Sequence, residues 1–157
     1  MEIENRKNAR HIKLVFFAIP FLFVLTVGPL LIFDVDAGFE IIVGFAVFIA
    51  LLYLGLNMLG FNYLKIKVDK KSVVVKYFGL APINKEYKAF KIKAGEVHDY
   101  KIEPKMGGLK KMMVIFRNDR GEVYKYPAVN VNALNKKDFE ELVKALGILV
   151  KINRGLT

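Results

Sequence analysis

A chain of 157 residues that is 54% hydrophobic, with a mean hydropathy of +0.32, is too apolar for an ordinary soluble domain, so the excess must be concentrated somewhere. It carries 25 Lys and Arg against 15 Asp and Glu, a net charge of +10, and no cysteine. The missing thiol removes cysteine chemistry and agrees with a reducing compartment.

The first thirteen residues read as a short basic arm with Arg6, Lys7, Arg10 and Lys13. Two apolar runs follow. Leu14 to Phe33 is twenty residues without a charge, and Ile41 to Phe61 is twenty-one with only Asn57 strongly polar. Each matches the roughly 20 residues that cross about 30 Å of hydrocarbon. The first run is too long for a signal-peptide core, and no small-residue cleavage site follows it. Nor can 95 remaining residues cover two helices that are apolar all round. Residues 14–62 are therefore expected to form a transmembrane helical hairpin with spans at about 14–33 and 41–61.

Orientation follows from the cations, because short basic segments resist translocation. The connecting "DVDAGFE" has Asp34, Asp36 and Glu40 and no base, whereas Lys65, Lys67, Lys70 and Lys71 follow the second run closely. The expectation is a multi-pass protein of the inner (cytoplasmic) membrane, with both termini cytoplasmic and residues 63–157 forming a cytoplasmic domain. Neither run contains an ionisable group to line a transport path. Thr26 can bond its own helix backbone. Asn57 either bonds across a helix interface or rests in the headgroup region. Pro20, Gly28 and Pro29 should bend the first helix, and Ala46 with Ala50 offers a small face for self-association.

From Tyr63 the period changes to two, the mark of half-buried strands: Leu64, Ile66 and Val68 on one side, Tyr63, Lys65 and Lys67 on the other. "DKKS" is a turn and "VVVKYF" returns. "INKEYKAFKI" and "VHDYKIE" give two more strands, "PKMGGLKK" a loop, and "MMVIFR" and "EVYKY" flank the turn "NDRG". Six short, locally joined strands predict an antiparallel sheet curled into a small barrel or two stacked sheets. In the loop, Gly107 and Gly108 with Lys105, Lys110 and Lys111 lack the GxxxxGK pattern of a phosphate cradle. A final helix starts at Asn135, with Asp138 in its first turn and Phe139, Leu142, Val143 and Leu146 at i, i+3, i+4 and i+7. Gly147 is expected to close it, leaving "ILVKIN" as a strand or a strip on the membrane surface.

An apolar first hairpin, Phe78–Gly79 at a turn, the Asp119–Gly121 turn and one terminal helix together resemble a bacterial pleckstrin-homology (PH-like) domain of the kind fused to two membrane spans. The fold class expected is thus an α+β membrane protein, a two-helix hairpin followed by a PH-like β-barrel or sandwich capped by a C-terminal helix. The resemblance implies a binding or scaffolding module with no cofactor, and headgroup contact at the first hairpin, where this chain has Lys65, Lys67, Lys70, Lys71 and Lys76. No arginine stands there for bidentate recognition. Residues 63–157 hold 21 Lys and Arg against 10 Asp and Glu, which suits an anionic inner leaflet and also follows from topology alone.

No enzyme is expected. The two histidines, His11 and His98, supply no metal pair or nucleophilic triad, and no nucleic-acid module is recognisable. Three functions stay open: a membrane-anchored scaffold acting through self-assembly or protein recruitment, an anionic-lipid sensor, and an accessory subunit of a larger membrane enzyme or transporter.

Overall fold

The computed structural model describes residues 1–32, 39–82, 86–119 and 121–155. Asp34 and Asp36, residues 83–85 at the expected start of the third strand, and Arg120 lie outside them. Helix α1 spans Arg6–Ile32, passing through Pro20 and Pro29, and helix α2 spans Phe39–Leu59. Both are long and apolar enough to cross a membrane. In α2 no residue is buried, so the described residues leave most of its apolar surface uncovered.

The stretch read as an arm is structured. Glu2–Glu4 forms strand β1, and residues 6–13 are the first two turns of α1. Ile3 explains this: it is 3% exposed, and its side chain fills the core at a gain of roughly 1.5–3 kcal/mol. β1 pairs antiparallel with β2 (Asn62–Val68), so both long helices are inserted between two neighbouring strands. Strands β3 (Ser72–Gly79) and β4 (Tyr87–Lys93) complete a sheet of order β1-β2-β3-β4.

The second sheet contains β5 (Val97–Lys105), β6 (Lys110–Asp119), β7 (Glu122–Lys125) and β8 (Val129–Asn130). β7 and β8 follow one another along the same edge of β6. Between them stands Pro127, which has no N–H to donate to a ladder. The sheets stack and do not close into a barrel, which corrects half of the expected alternative. "PKMGGLKK" is also less of a loop than expected, because β5 and β6 run to within a few residues of each other around a 3-10 turn at Met106–Gly108.

The core lies between the sheets: Leu64, Ile66, Val73 and Val75 from one, Val97, Met113 and Ile115 from the other. Helix α3 (Lys136–Asn153) covers it with Leu142, Leu146 and Val150. Its start is as expected, the Asn135 side chain accepting from Asp138 N at 2.7 Å. Its end is not. Gly147 lies inside the helix, and "ILVKIN" continues it, because Leu146 and Val150 are buried one turn apart and Asn153 donates to Ala94 O and Val97 O, both at 2.7 Å. These gains outweigh the roughly 1 kcal/mol that an interior glycine costs. A Cβ at Gly147 would meet only the Tyr100 hydroxyl, at an ordinary 3.6 Å. Gly147→Ala should therefore stabilise the chain by about 0.5–1 kcal/mol in equilibrium unfolding. A loss of stability would show that the helix needs a glycine there.

Candidate functional site

The two long helices meet the sheets at one place, and buried asparagines hold them there. Asn5, between β1 and α1, is 3% exposed. Its Nδ2 donates to Asn62 O at 2.8 Å and its Oδ1 accepts from Leu64 N at 2.8 Å, so the side chain extends the β1–β2 ladder past the end of the strand. Its carbonyl accepts from Ala9 N at 2.9 Å, which begins α1. Asn130, 2% exposed, does the same for α2. Its Nδ2 donates to Leu59 O at 2.6 Å and Gly60 O at 2.7 Å, and its Oδ1 accepts from Asn132 N at 2.9 Å. Carbonyls at a helix C-terminus lack intrahelical partners, and Asn130 supplies two of the missing donors. Gly60 turns the chain out of α2 with φ of +59°, a left-handed conformation that costs other residues roughly 1–2 kcal/mol. Asn8 adds a third tie, Nδ2 to Ala133 O at 3.0 Å. One helix is thus fixed to the first sheet and the other to the second.

The expected interface residues lie along the helix pair. Phe16 meets Tyr53 edge to face at 5.9 Å, and Phe23 stacks on Phe45 at 6.2 Å. Ala46 and Ala50 line an apolar groove of about 440 Å³ with Ile19, Pro20, Phe23 and Tyr53, so they already face α1. Asn57 donates to Tyr53 O at 2.8 Å within its own helix, and Thr26 donates to Leu22 O at 2.9 Å.

Three of the five lysines of the first hairpin, Lys65, Lys67 and Lys76, share one face of β2 and β3, and the other two lie beyond the end of β2. Lys65 Nζ lies 2.6 Å from Glu2 and 3.7 Å from Glu4, both on β1, and Lys67 lies 3.5 Å from Asp69. Lys76 is exposed opposite Lys65. Lys70 and Lys71 occupy the turn at the far end of β2, seven residues and roughly 20 Å of strand from the junction with the helices. The hydrogen bond and charge of Lys65 hold the Glu2 carboxyl below its ordinary value. A depressed carboxyl contributes stability above its unfolded value and loses it as pH falls through the folded one. Exchange protection of the Ile3 and Asn5 amides, which point into the β1–β2 ladder, should therefore weaken as pH drops below about 4, while that of β3 persists. Uniform loss across the sheet would refute the assignment.

At the helix end of the second sheet, the turn between β5 and β6 has three consecutive positive φ angles, at Met106 (53°), Gly107 (65°) and Gly108 (95°). It leaves Met106 and Leu109 exposed, between Lys105 and the pair Lys110 and Lys111. Lys110 Nζ lies 3.0 Å from where a Cβ on Gly60 would stand, so this turn sits beside the end of α2. Asn132 braces it, accepting from Lys111 N at 2.6 Å and donating to Leu109 O.

His98 sits at a register shift in β5, and its neighbour Asp99 pairs with Arg154 at 3.0 Å. Among the described residues, no three His, Asp or Glu side chains gather to hold a metal. Comparison with family profiles, curated proteins and solved structures gives no match.

Proposed function

We propose that the chain is a two-span membrane anchor that holds a PH-like binding module against the inner leaflet, where the module works as a scaffold through self-assembly or protein recruitment. The observation that carries this reading is the junction: both helices leave the same end of the stacked sheets, each through a buried asparagine. A module tied this way cannot swing on a linker, so its free surfaces hold a set height above the bilayer. The uncovered apolar surfaces of both helices support membrane insertion. Pairing of β1 with β2 supports both termini lying on one side, since strands on opposite sides of a bilayer could not share a ladder. Two stacked antiparallel sheets with a terminal helix support the PH-like resemblance.

Recruitment has an available surface. Among the described residues no strand pairs with the outer edge of β4, where exposed Lys91 stands near Lys88 and Lys93. These last two lie 2.8 Å from Glu86 and 3.1 Å from Glu96, so an acidic extended segment would compete for them. Because the chain has no cysteine, single introduced cysteines report position cleanly. In intact cells a membrane-impermeant maleimide should label Glu40→Cys and spare Lys70→Cys; the reverse pattern would overturn the orientation. A photoactivatable crosslinker on Ala89→Cys, in β4, should capture a second copy or another protein, and one on Lys144→Cys should not. Absence of any adduct from β4 would remove the recruiting edge.

The turn at Met106–Leu109 should enter the interface. The chain has no tryptophan, so Leu109→Trp gives a unique fluorophore. Its emission should be quenched by brominated lipids, and that of Lys70→Trp should not. Equal quenching would mean that the sheets are not oriented as proposed.

A further inference from the structure

We propose that the groove between the first turns of α1 and the near end of the first sheet binds the phosphate of an anionic phospholipid headgroup, an inference that rests on the membrane reading above. Arg6, Arg10 and Lys13 stand at i, i+4 and i+7 and so project from one face of α1. Across a cavity of about 310 Å³ they face Tyr63 and Phe78, whose rings stack 4.7 Å apart. Lys13 Nζ lies 5.3 Å over the Phe78 ring.

The three cations are exposed, and among the described residues no carboxylate lies within 4.0 Å of any of them. The nearby acids are engaged elsewhere. Glu2 and Glu4 hold Lys65, and Glu4 also accepts the Tyr63 hydroxyl at 2.7 Å. Like charges one turn apart on a helix repel, and an anion seated among them converts that repulsion into attraction. Two guanidiniums and an ammonium suit a phosphodiester, since the planar forks bind its oxygens in pairs.

The height of the groove selects a lipid. Leu14, which begins the uncharged run, follows Lys13 directly. From Arg6 to Lys13 the helix rises about 10 Å, so Lys13 and Arg10 fall within a headgroup layer roughly 5–7 Å deep and Arg6 stands just above it. Topology alone accounts for basic residues before a span but not for their alignment on the face that meets two aromatic rings. Lys7, which has the same topological value, does not line this groove but a neighbouring hollow with Glu4, Asn135 and Asp138, and Arg6 stands on the rim between the two. Lys70 and Lys71 lie at the opposite end of the sheet, too far to join this site.

The test uses the full chain in mild detergent with equal phosphatidylglycerol and phosphatidylcholine, reading retained lipid by native mass spectrometry. Phosphatidylglycerol should dominate by about fivefold or more. R6Q/R10Q/K13Q should lower its retention about tenfold, while K70Q/K71Q/K144Q, which removes the same charge elsewhere, should leave it unchanged. R6K/R10K keeps the charges that set topology and should still weaken retention severalfold, so it decides the matter if the triple variant fails to insert. Equal retention of both lipids, or the same loss in both triple variants, would overturn the site. Displacement of the lipid by millimolar inorganic phosphate would assign the groove to free phosphate instead and overturn the lipid assignment. A chain that stays soluble without detergent would refute the membrane reading, a result distinct from an inserted chain without lipid preference.

Discussion

Asn130→Asp is expected to cost about 3–5 kcal/mol of folding stability at neutral pH, and less in acid. The introduced carboxylate would put a negative oxygen where Nδ2 now donates to Leu59 O and Gly60 O, turning two hydrogen bonds at 2.6 and 2.7 Å into two repulsive contacts. Asn130→Leu has a similar volume and only removes the donors and the acceptor used by Asn132 N, so it should cost about 2–4 kcal/mol with no dependence on pH. Protonating the carboxyl restores one donor. Denaturant unfolding in mild detergent at pH 7 and pH 5 should therefore narrow the gap between the two variants from above. If Asn130→Asp loses no more than Asn130→Leu, the side chain is not the donor to α2. If neither loses stability, the cap does not hold the helix to the sheets.

Asn5→Ala should cost about 2–4 kcal/mol and act on the other helix. The loss leaves Leu64 N and Asn62 O without their partners at a site that is 3% exposed, where water cannot readily replace them. Hydrogen exchange gives the clearest readout. Amides of β1 and of the first turns of α1 should open together, since Asn5 joins them, while β3 and β4 keep their protection. Asn5→Asp would keep an acceptor for Leu64 N but set a second carboxylate oxygen against Asn62 O, so at neutral pH it should cost at least as much as alanine and recover part of the loss in acid. Protection of β1 unchanged in Asn5→Ala would mean that the pairing of Glu2, Ile3 and Glu4 with Lys67, Ile66 and Lys65 suffices without it.

The apolar runs and the alternation of Leu64, Ile66 and Val68 were legible in the sequence because they depend on local period alone, and the helix start at Asn135 because a cap acts over three residues. What escaped depends on contacts across the chain. β1 is three residues long, too short to show alternation, and its partner lies about sixty residues away. Gly147 looked like a stop because glycine often follows a helix, but the burial of Val150 beyond it decides the matter and is a tertiary fact. Asn5 and Asn130 carry no sequence signal. Within "VNVN", Asn130 and Asn132 look alike, yet one is buried against α2 and the other braces a surface turn. The hairpin lysines were visible as a basic cluster in sequence, but strand geometry spreads them along 20 Å or so and gives two of them acidic partners. The cations of α1 looked merely topological until the helix phase aligned three of them with Tyr63 and Phe78.

The insertion of both helices between β1 and β2 sets an order of events during synthesis. At about 5–20 residues per second, β1 waits several seconds for its partner. Once made, β2, β3 and β4 pair by short connections, but the β2 edge stays open until β1 returns to it. On the two-span reading, a chain in which only one helix crosses leaves β1 stranded on the far side of the bilayer, with Ile3 missing from the core and a bare strand edge exposed. Completion of the sheet would then discriminate against a chain that has threaded the membrane only once, since such a chain keeps the β2 edge open.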